Sequence, residues 1–149
     1  MAQRMILAAA VFALGMTFWS DASRAEGALA IGLPNGDPHN GFVVGIAVNK
    51  ATAAAAREGA MTQCRDDEIP NTARARADCK IIEVFRNQCV NAAVNGDKTG
   101  NPSTAVGWGV GPDSATADSR AMAVCELMRR GRGRPCRPDG EPVCDGDAN

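Results

Sequence analysis

The chain has 149 residues, 22% of them charged and only 4% aromatic, with a formal net charge of −1. That length suits one domain rather than two. The near-neutral balance argues against a dedicated nucleic-acid binder, which carries a marked basic excess.

Arg4 supplies a short positive start, Ile6 to Trp19 an apolar run, and Ser23-Arg24-Ala25 the small residues that a signal peptidase reads. Ser20-Asp21-Ala22 is an earlier cleavage point. Asp21 closes the run before the roughly 20 apolar residues that a membrane span requires. Residues 1–25 are therefore expected to be a cleaved signal peptide, and 26–149 a single exported domain, periplasmic or extracellular, that is not an integral membrane protein. No cysteine follows the apolar run to accept a lipid. Removing Arg4, Asp21 and Arg24 leaves 14 basic and 16 acidic residues, a net charge of −2. Phe42, Phe85 and Trp108 are the aromatics that remain, so the core is expected to be thin.

Ala28 to Leu33 reads as a short strand stopped by Pro34 and Asn35-Gly36, and Phe42 to Val48 as a second strand after a turn-rich connection. Thr52 and the alanine run open a helix whose buried stripe is Ala53, Ala56, Ala60, Met61 and Cys64. Arg65 to Asp78, with Pro70, reads as a surface loop or a fraying extension of that helix. Cys79 to Cys89, carrying Ile81, Ile82, Val84 and Phe85, is the strongest strand signal. The order then recurs: Asn91 to Asn95, an Asn95-Gly96-Asp97 turn, a strand around Trp108, and a helix. Pro112, Asp113 and Ser114 start that helix, Ala117, Ala121, Val124, Cys125 and Met128 form its buried stripe, and Arg129-Arg130-Gly131 ends it. Pro135, Pro138 and Pro142 break up the closing strand.

The chain thus repeats itself at 27–89 and 90–145, matching Val44-Gly45-Ile46-Ala47-Val48 with Val106-Gly107-Trp108-Gly109-Val110 and Ala60-Met61-Thr62-Gln63-Cys64 with Ala121-Met122-Ala123-Val124-Cys125. The expected fold class is α+β: two similar β-β-α-β units sharing one mainly antiparallel sheet, with two helices on one face, stapled by disulfides. All six cysteines follow the leader. Export favours disulfides, and the spacings lack the short hooks of zinc ribbons. Equivalent cysteines should do equivalent work, so Cys64 is expected to bond Cys79, Cys125 to bond Cys136, and Cys89 and Cys144 to join the two units.

These residues resemble a group of bacterial secreted proteins classed as domain of unknown function 4189. The resemblance covers about Gly27 to Cys144. It rests on the Val-Gly-Trp-Gly strand at Val106 to Gly109, the Ala-rich helices ending in Cys64 and Cys125, and the strand running from Cys79 through Phe85 and Asn87 to Cys89. Ile46 departs from the pattern, where an aromatic is common. The resemblance implies a small exported α+β domain without an established activity.

Little in the chain suggests catalysis. His39 is the sole histidine, in a Gly-bracketed loop that is a poor mount for a base aimed at a nucleophile, and is expected to be an exposed turn residue. Asp37, Asp97, Asp139, Glu141, Asp145 and Asp147 sit in turns without the alternating array of a calcium loop, and most are expected to be solvated; no metal and no cofactor is expected. Arg129, Arg130, Arg132, Arg134 and Arg137 form the one charge cluster, a candidate contact for an anionic partner or a solubilising loop. Trp108 is expected to be either a core plug or an exposed stacking platform. The leading expectation is a non-enzymatic binding or interaction module whose partner is a protein or an anionic envelope component. The alternatives are an inhibitor or immunity-type protein acting on a secreted hydrolase, or a carboxylate-based cell-envelope hydrolase.

Overall fold

Strand β1 (Glu26–Gly32) sets the plan, because its alternation places Ala28 and Ala30 on one face and Leu29 and Ile31 on the other. The computed structural model describes residues 25–68, 72–96 and 103–148. The expected leader up to Arg24, Pro70 and Asp97 lie outside the described residues. Strand β1 pairs antiparallel with β2 (Val43–Lys50) on one side and β3 (Lys80–Phe85) on the other, giving a sheet of order β2-β1-β3. Helix α1 (Ala53–Arg65) and the single turn α2 (Ala73–Ala77) lie between β2 and β3 in the chain. A second antiparallel sheet is centred on β4 (Cys89–Val94), with β5 (Val106–Gly111) on one side and the two-residue strands β6 (Arg137–Pro138) and β7 (Val143–Cys144) on the other. Helix α3 (Ser114–Arg129) follows β5.

Three buried clusters define the layers. Leu29, Ile31, Leu33 and Phe85 from the first half pack with Val90, Val94, Val106 and Val110 of the second sheet. On the outer face of the first sheet, Ala28, Ala30, Val43 and Ala47 receive Ala56, Ala60 and Cys64 of α1. On the outer face of the second, Ala93 receives Ala121 and Cys125 of α3. The order of layers is helix, sheet, sheet, helix. This corrects the expectation of one shared sheet with both helices on one face. Each sheet carries large aliphatic side chains on one face and small ones on the other, and a single sheet covered on one side would leave one of these sets in water. Stacking the branched faces together and giving each alanine face its own helix buries both.

The small residues let the helices approach closely. A Cβ on Gly45 would lie 2.0 Å from Ala60 O, and one on Gly107 would lie 2.3 Å from Ala121 O and from Cys125 N. Both helices begin with a side-chain cap: Thr52 Oγ1 accepts from Ala55 N at 3.2 Å and Asp113 Oδ1 from Thr116 N at 2.7 Å. Helix α3 ends on Arg130 itself, in the left-handed conformation at φ 50°, one residue before the glycine that the sequence offered for that role.

The disulfides are Cys64–Cys79, Cys89–Cys144 and Cys125–Cys136. The first and last tie each long helix to the residue preceding a strand. The strand expected over Cys79 to Cys89 is divided, because Asn87 turns the chain at φ 48° and Cys89 opens β4. Cys89–Cys144 is consequently a cross-strand bond between β4 and β7 inside the second sheet rather than a link between two units.

The two sheets are joined instead by Asp145, which is fully buried. Its Oδ1 accepts from Asn49 N at 2.7 Å at the end of β2, and its Oδ2 accepts from Asn87 N at 3.1 Å in the β3–β4 turn. Gly146 N returns a bond to Asn49 Oδ1 at 2.9 Å. A carboxylate expected to be solvated is therefore a buried tie between strand ends. It is kept satisfied by main-chain donors, as a buried charge must be.

Candidate functional site

Residues far apart in the chain meet at one end of α3. A basin of about 630 Å³ is lined by Gly36 and His39 from the β1–β2 connection, Thr104 from the approach to β5, and Leu127, Arg130 and Arg132 at and beyond the end of α3. Val124 and Met128 complete its apolar floor. Leu127 is 77% exposed, an unusual state for a large aliphatic side chain.

The His39 loop is more ordered than its glycines suggest. Asp37 Oδ1 accepts from His39 N at 3.0 Å and lies 2.9 Å from His39 Nδ1, while Asn40 Nδ2 donates to Asp37 Oδ2 at 3.3 Å. Pro38 is buried and anchors the turn. These bonds, led by the main-chain donation from His39, hold the Asp37 carboxyl below its ordinary value. With Nδ1 engaged, the imidazole has Nε2 left for a ligand.

The arginine loop is likewise preorganised. Arg130, Gly131 and Gly133 all have positive φ, at 50°, 74° and 68°. Arg129 holds the loop from within: Nε donates to Glu126 Oε2 at 2.7 Å, and Nη1 donates to Arg132 O at 3.3 Å and Gly133 O at 3.2 Å. Glu126 Oε1 accepts from Cys136 N at 2.8 Å, and the Cys125–Cys136 disulfide fixes the far end. Arg137 Nε donates to Gly96 O at 3.1 Å, away from the basin. The side chains of Arg130 and Arg132 make no hydrogen bond or ion pair among the described residues. The five-arginine cluster thus divides: Arg137 is structural, Arg134 does not line the basin, and of the three arginines that line it beside His39, Arg129 is spent on holding the loop while Arg130 and Arg132 are unengaged. Sequence reasoning weighed His39 and the arginines separately, because nothing local relates residue 39 to residue 130. It also missed Leu127, whose exposure becomes apparent only once α3 is docked.

Glu126 gives a pH prediction with a definite sign. The Cys136 main-chain bond first, and then Arg129, hold its carboxyl below the ordinary glutamate value. The stabilisation of the loop is therefore present above the unfolded-state value and is lost as pH falls through the lower folded-state value. The protection of the Cys136 amide, measured against its intrinsic exchange rate at each pH, is expected to fall on acidification through that window, and Glu126→Gln is expected to weaken the pH dependence. Exchange followed by NMR across pH 2 to 6 checks both.

Two smaller clefts lie along the rims where the sheets stack. One, of about 360 Å³, is lined by Glu83 of β3, Trp108 and Val110 of β5, and Arg120 and Val124 of α3. Trp108 is half-buried: it packs on the inter-sheet cluster and also lines this cleft, combining the two roles expected as alternatives. The other, of about 290 Å³, brings Asp139 and Glu141 together beside Ile46, Gln63 and Asn91. Asn91 Nδ2 donates to Asp118 Oδ1 at 2.6 Å and Gly140 O at 3.1 Å, so its amide is already used. Among the described residues no cluster of three or more His, Cys, Asp or Glu could hold a metal ion, and no helix is long and apolar enough to cross a membrane.

The fold and this geometry accompany a family match over residues 27–138, to a family described as domain of unknown function (DUF4189). The chain belongs to that family. The match begins in β1 and ends in β6, so it covers both sheets, both long helices and the basin. No curated protein and no solved structure matches the chain. A DUF4189 domain is therefore a small disulfide-bonded α+β unit in this chain, and the basin has to be read from its own chemistry.

Proposed function

We propose that the protein is an exported, non-enzymatic binding module that captures an anionic partner, either a protein face or an envelope component, in the His39–Arg130–Arg132 basin. The observation that carries this reading is the pair of unengaged guanidinium groups on a loop whose shape is held by other residues. Ligand binding then need not order the loop, and that entropy cost is avoided. Arginine suits the task because its planar fork matches carboxylate and phosphate oxygens. The binding reading is supported by the lining of the basin, which holds no thiol, since all six cysteines are in disulfides, and whose one hydroxyl, Thr104 Oγ1, accepts from Asn95 Nδ2 at 2.7 Å. Export rests on the leader-like residues 1–25 and is consistent with three disulfides. The internal repeat is supported by the matched helices, each with a disulfide cysteine on its buried face, and by sheets that each have their first strand at the centre.

A second reading, a carboxylate hydrolase, is favoured by one observation, the placing of Asp139 and Glu141 in one cleft. Replacing both by the corresponding amides would abolish any hydrolysis of wall fragments, and would leave the proposed anion binding unchanged.

The proposal is tested with Arg130→Gln/Arg132→Gln. Binding to anionic liposomes or wall fragments is expected to fall by about fivefold at low salt, since each exposed charge contact is worth roughly 0.2–1 kcal/mol. Raising the ionic strength should remove most of the difference. Equal binding by the intact and substituted proteins would refute the basin as the site.

A further inference from the structure

The outer edges of β2 and β5 are covered by their helices in different ways. In an antiparallel pair, residues whose main-chain groups face the partner strand alternate with residues whose groups face away. Asn95 N donates to Ala105 O at 3.2 Å, and Asp139 N donates to Ala92 O at 2.9 Å on the far side of β4. With the register Ala92↔Trp108, this turns the N–H and C=O of Val106, Trp108 and Val110 outward from the sheet. Two of the outward groups are covered by α3: Val106 N lies 3.4 Å from Met128 Sδ, and Val110 O accepts from Arg120 Nη1. The N–H and C=O of Trp108, between them, have no partner among the described residues.

The counterpart of Trp108 in β2 is Ile46, and its outward N–H donates to Gln63 Oε1 of α1 at 3.0 Å. Gln63 directly precedes Cys64, as Val124 directly precedes Cys125. One helix position thus carries an acceptor that covers the Ile46 N–H in the first unit and an aliphatic side chain that leaves the Trp108 N–H open in the second. Val124 and Trp108 line the same rim cleft, and Val124 also lines the basin, so the open edge and the two free arginines are neighbours. Val124 to Arg130 spans about 9 Å of helix axis at 1.5 Å per residue, about three residues of an extended strand.

We infer that the β5 edge takes an extended peptide by strand addition, with one peptide residue pairing with the N–H and C=O of Trp108 and an acidic segment reaching Arg130 and Arg132. A peptide is the matching chemistry because an outward donor and acceptor on one residue are complementary to another residue in the same arrangement. Covering of Val106 N and Val110 O on either side leaves Trp108 as the one residue of the three with both outward groups open, which also limits open-ended strand association at this edge. The acidic end of the peptide rests on the anion-binding reading of the basin.

The test uses an acetylated, fluorescently labelled peptide of alternating valine and threonine followed by three aspartates, with pyrophosphate as the probe of the basin alone. Val124→Gln, which installs the counterpart of Gln63, is expected to weaken the peptide about tenfold, as loss of a main-chain hydrogen bond would, against a smaller change in pyrophosphate binding, since Val124 also lines the basin. N-methylation of the pairing residue should weaken the peptide similarly, and the Trp108 amide resonance should move when the unmethylated peptide is added. Arg130→Gln/Arg132→Gln should weaken both probes. Peptide binding indifferent to both Val124→Gln and N-methylation, or no peptide binding at millimolar concentration, would overturn strand addition. Failure of pyrophosphate to bind, with peptide binding still sensitive to Val124→Gln, would overturn the basin reading alone.

Discussion

Replacing Gly109 by valine is expected to destabilise the protein by about 3 kcal/mol or more, because the new side chain has nowhere to go. A Cβ at this position would stand 2.5 Å from Ala121 N and 2.6 Å from Ala117 O, both main-chain atoms of α3. A side chain in the way can rotate, but a helix backbone must move as a unit. Moving α3 off β5 would open the cluster of Ala93, Ala121, Cys125 and Cys136 that holds the outer layer together. The strand therefore divides its residues by face: Val106, Trp108 and Val110 fill the inter-sheet core, while Gly107, Gly109 and Gly111 admit the helix. Ala123→Val is the control, since Ala123 is exposed on the same helix and should cost only the few tenths of a kcal/mol of a β-branched residue in a helix. Urea denaturation followed by circular dichroism checks the pair. Against a total stability of roughly 5–15 kcal/mol for a domain, and with a core built largely of alanine and valine, the Gly109 variant should be partly unfolded at 37 °C.

What the sequence could reveal here follows from the range of the interactions involved. Helix α3 was legible because its signals are local: Asp113 caps it, Ala117, Ala121 and Cys125 recur at helical spacing, and the arginines follow. The matched motifs made the disulfide partners legible, since a cysteine ending a helix and one opening the next strand stand close in the chain. Stacking of the two sheets was not legible from periodicity alone. Leu29 and Ile31 alternate with Ala28 and Ala30, and a pattern apolar on both faces does not say which face meets a helix and which a second sheet. Size was the usable signal: small residues accompany a docked helix and branched residues a facing sheet. The break at Asn87 was hidden because Asn can adopt positive φ without any change in the apolar pattern around it. The basin was hidden for a different reason, as its parts come from the β1–β2 connection and the end of α3 and are joined only by the packing of the layers.

Asp145→Ala is expected to cost about 3–5 kcal/mol, more than removal of any other carboxylate among the described residues, since it deletes two charge-assisted bonds and strands two main-chain donors. Asn49 and Asn87 both occupy the left-handed region, at φ 56° and 48°. Each turns its N–H toward the carboxylate in the course of a chain reversal. One lies at the end of β2 and the other between β3 and β4, so the aspartate ties the edge of the first sheet to the entry of the second. Cys144, immediately before it, is bonded to Cys89, and Asp145 N donates to Gln88 O at 2.9 Å, so the carboxylate is held in place by a covalent bond on one side and a main-chain bond at its own residue. Asp145→Asn keeps one acceptor oxygen and is expected to lose roughly half as much. Asp147→Ala, at an exposed position two residues further on, should change stability by less than about 0.5 kcal/mol. Thermal denaturation ranks the three variants, and hydrogen exchange at the Asn49 and Asn87 amides locates the effect. If the tie works as described, both amides lose protection together in Asp145→Ala while the centre of β4 keeps its own, because the lost bonds lie at the corners of the sandwich and not in the ladders.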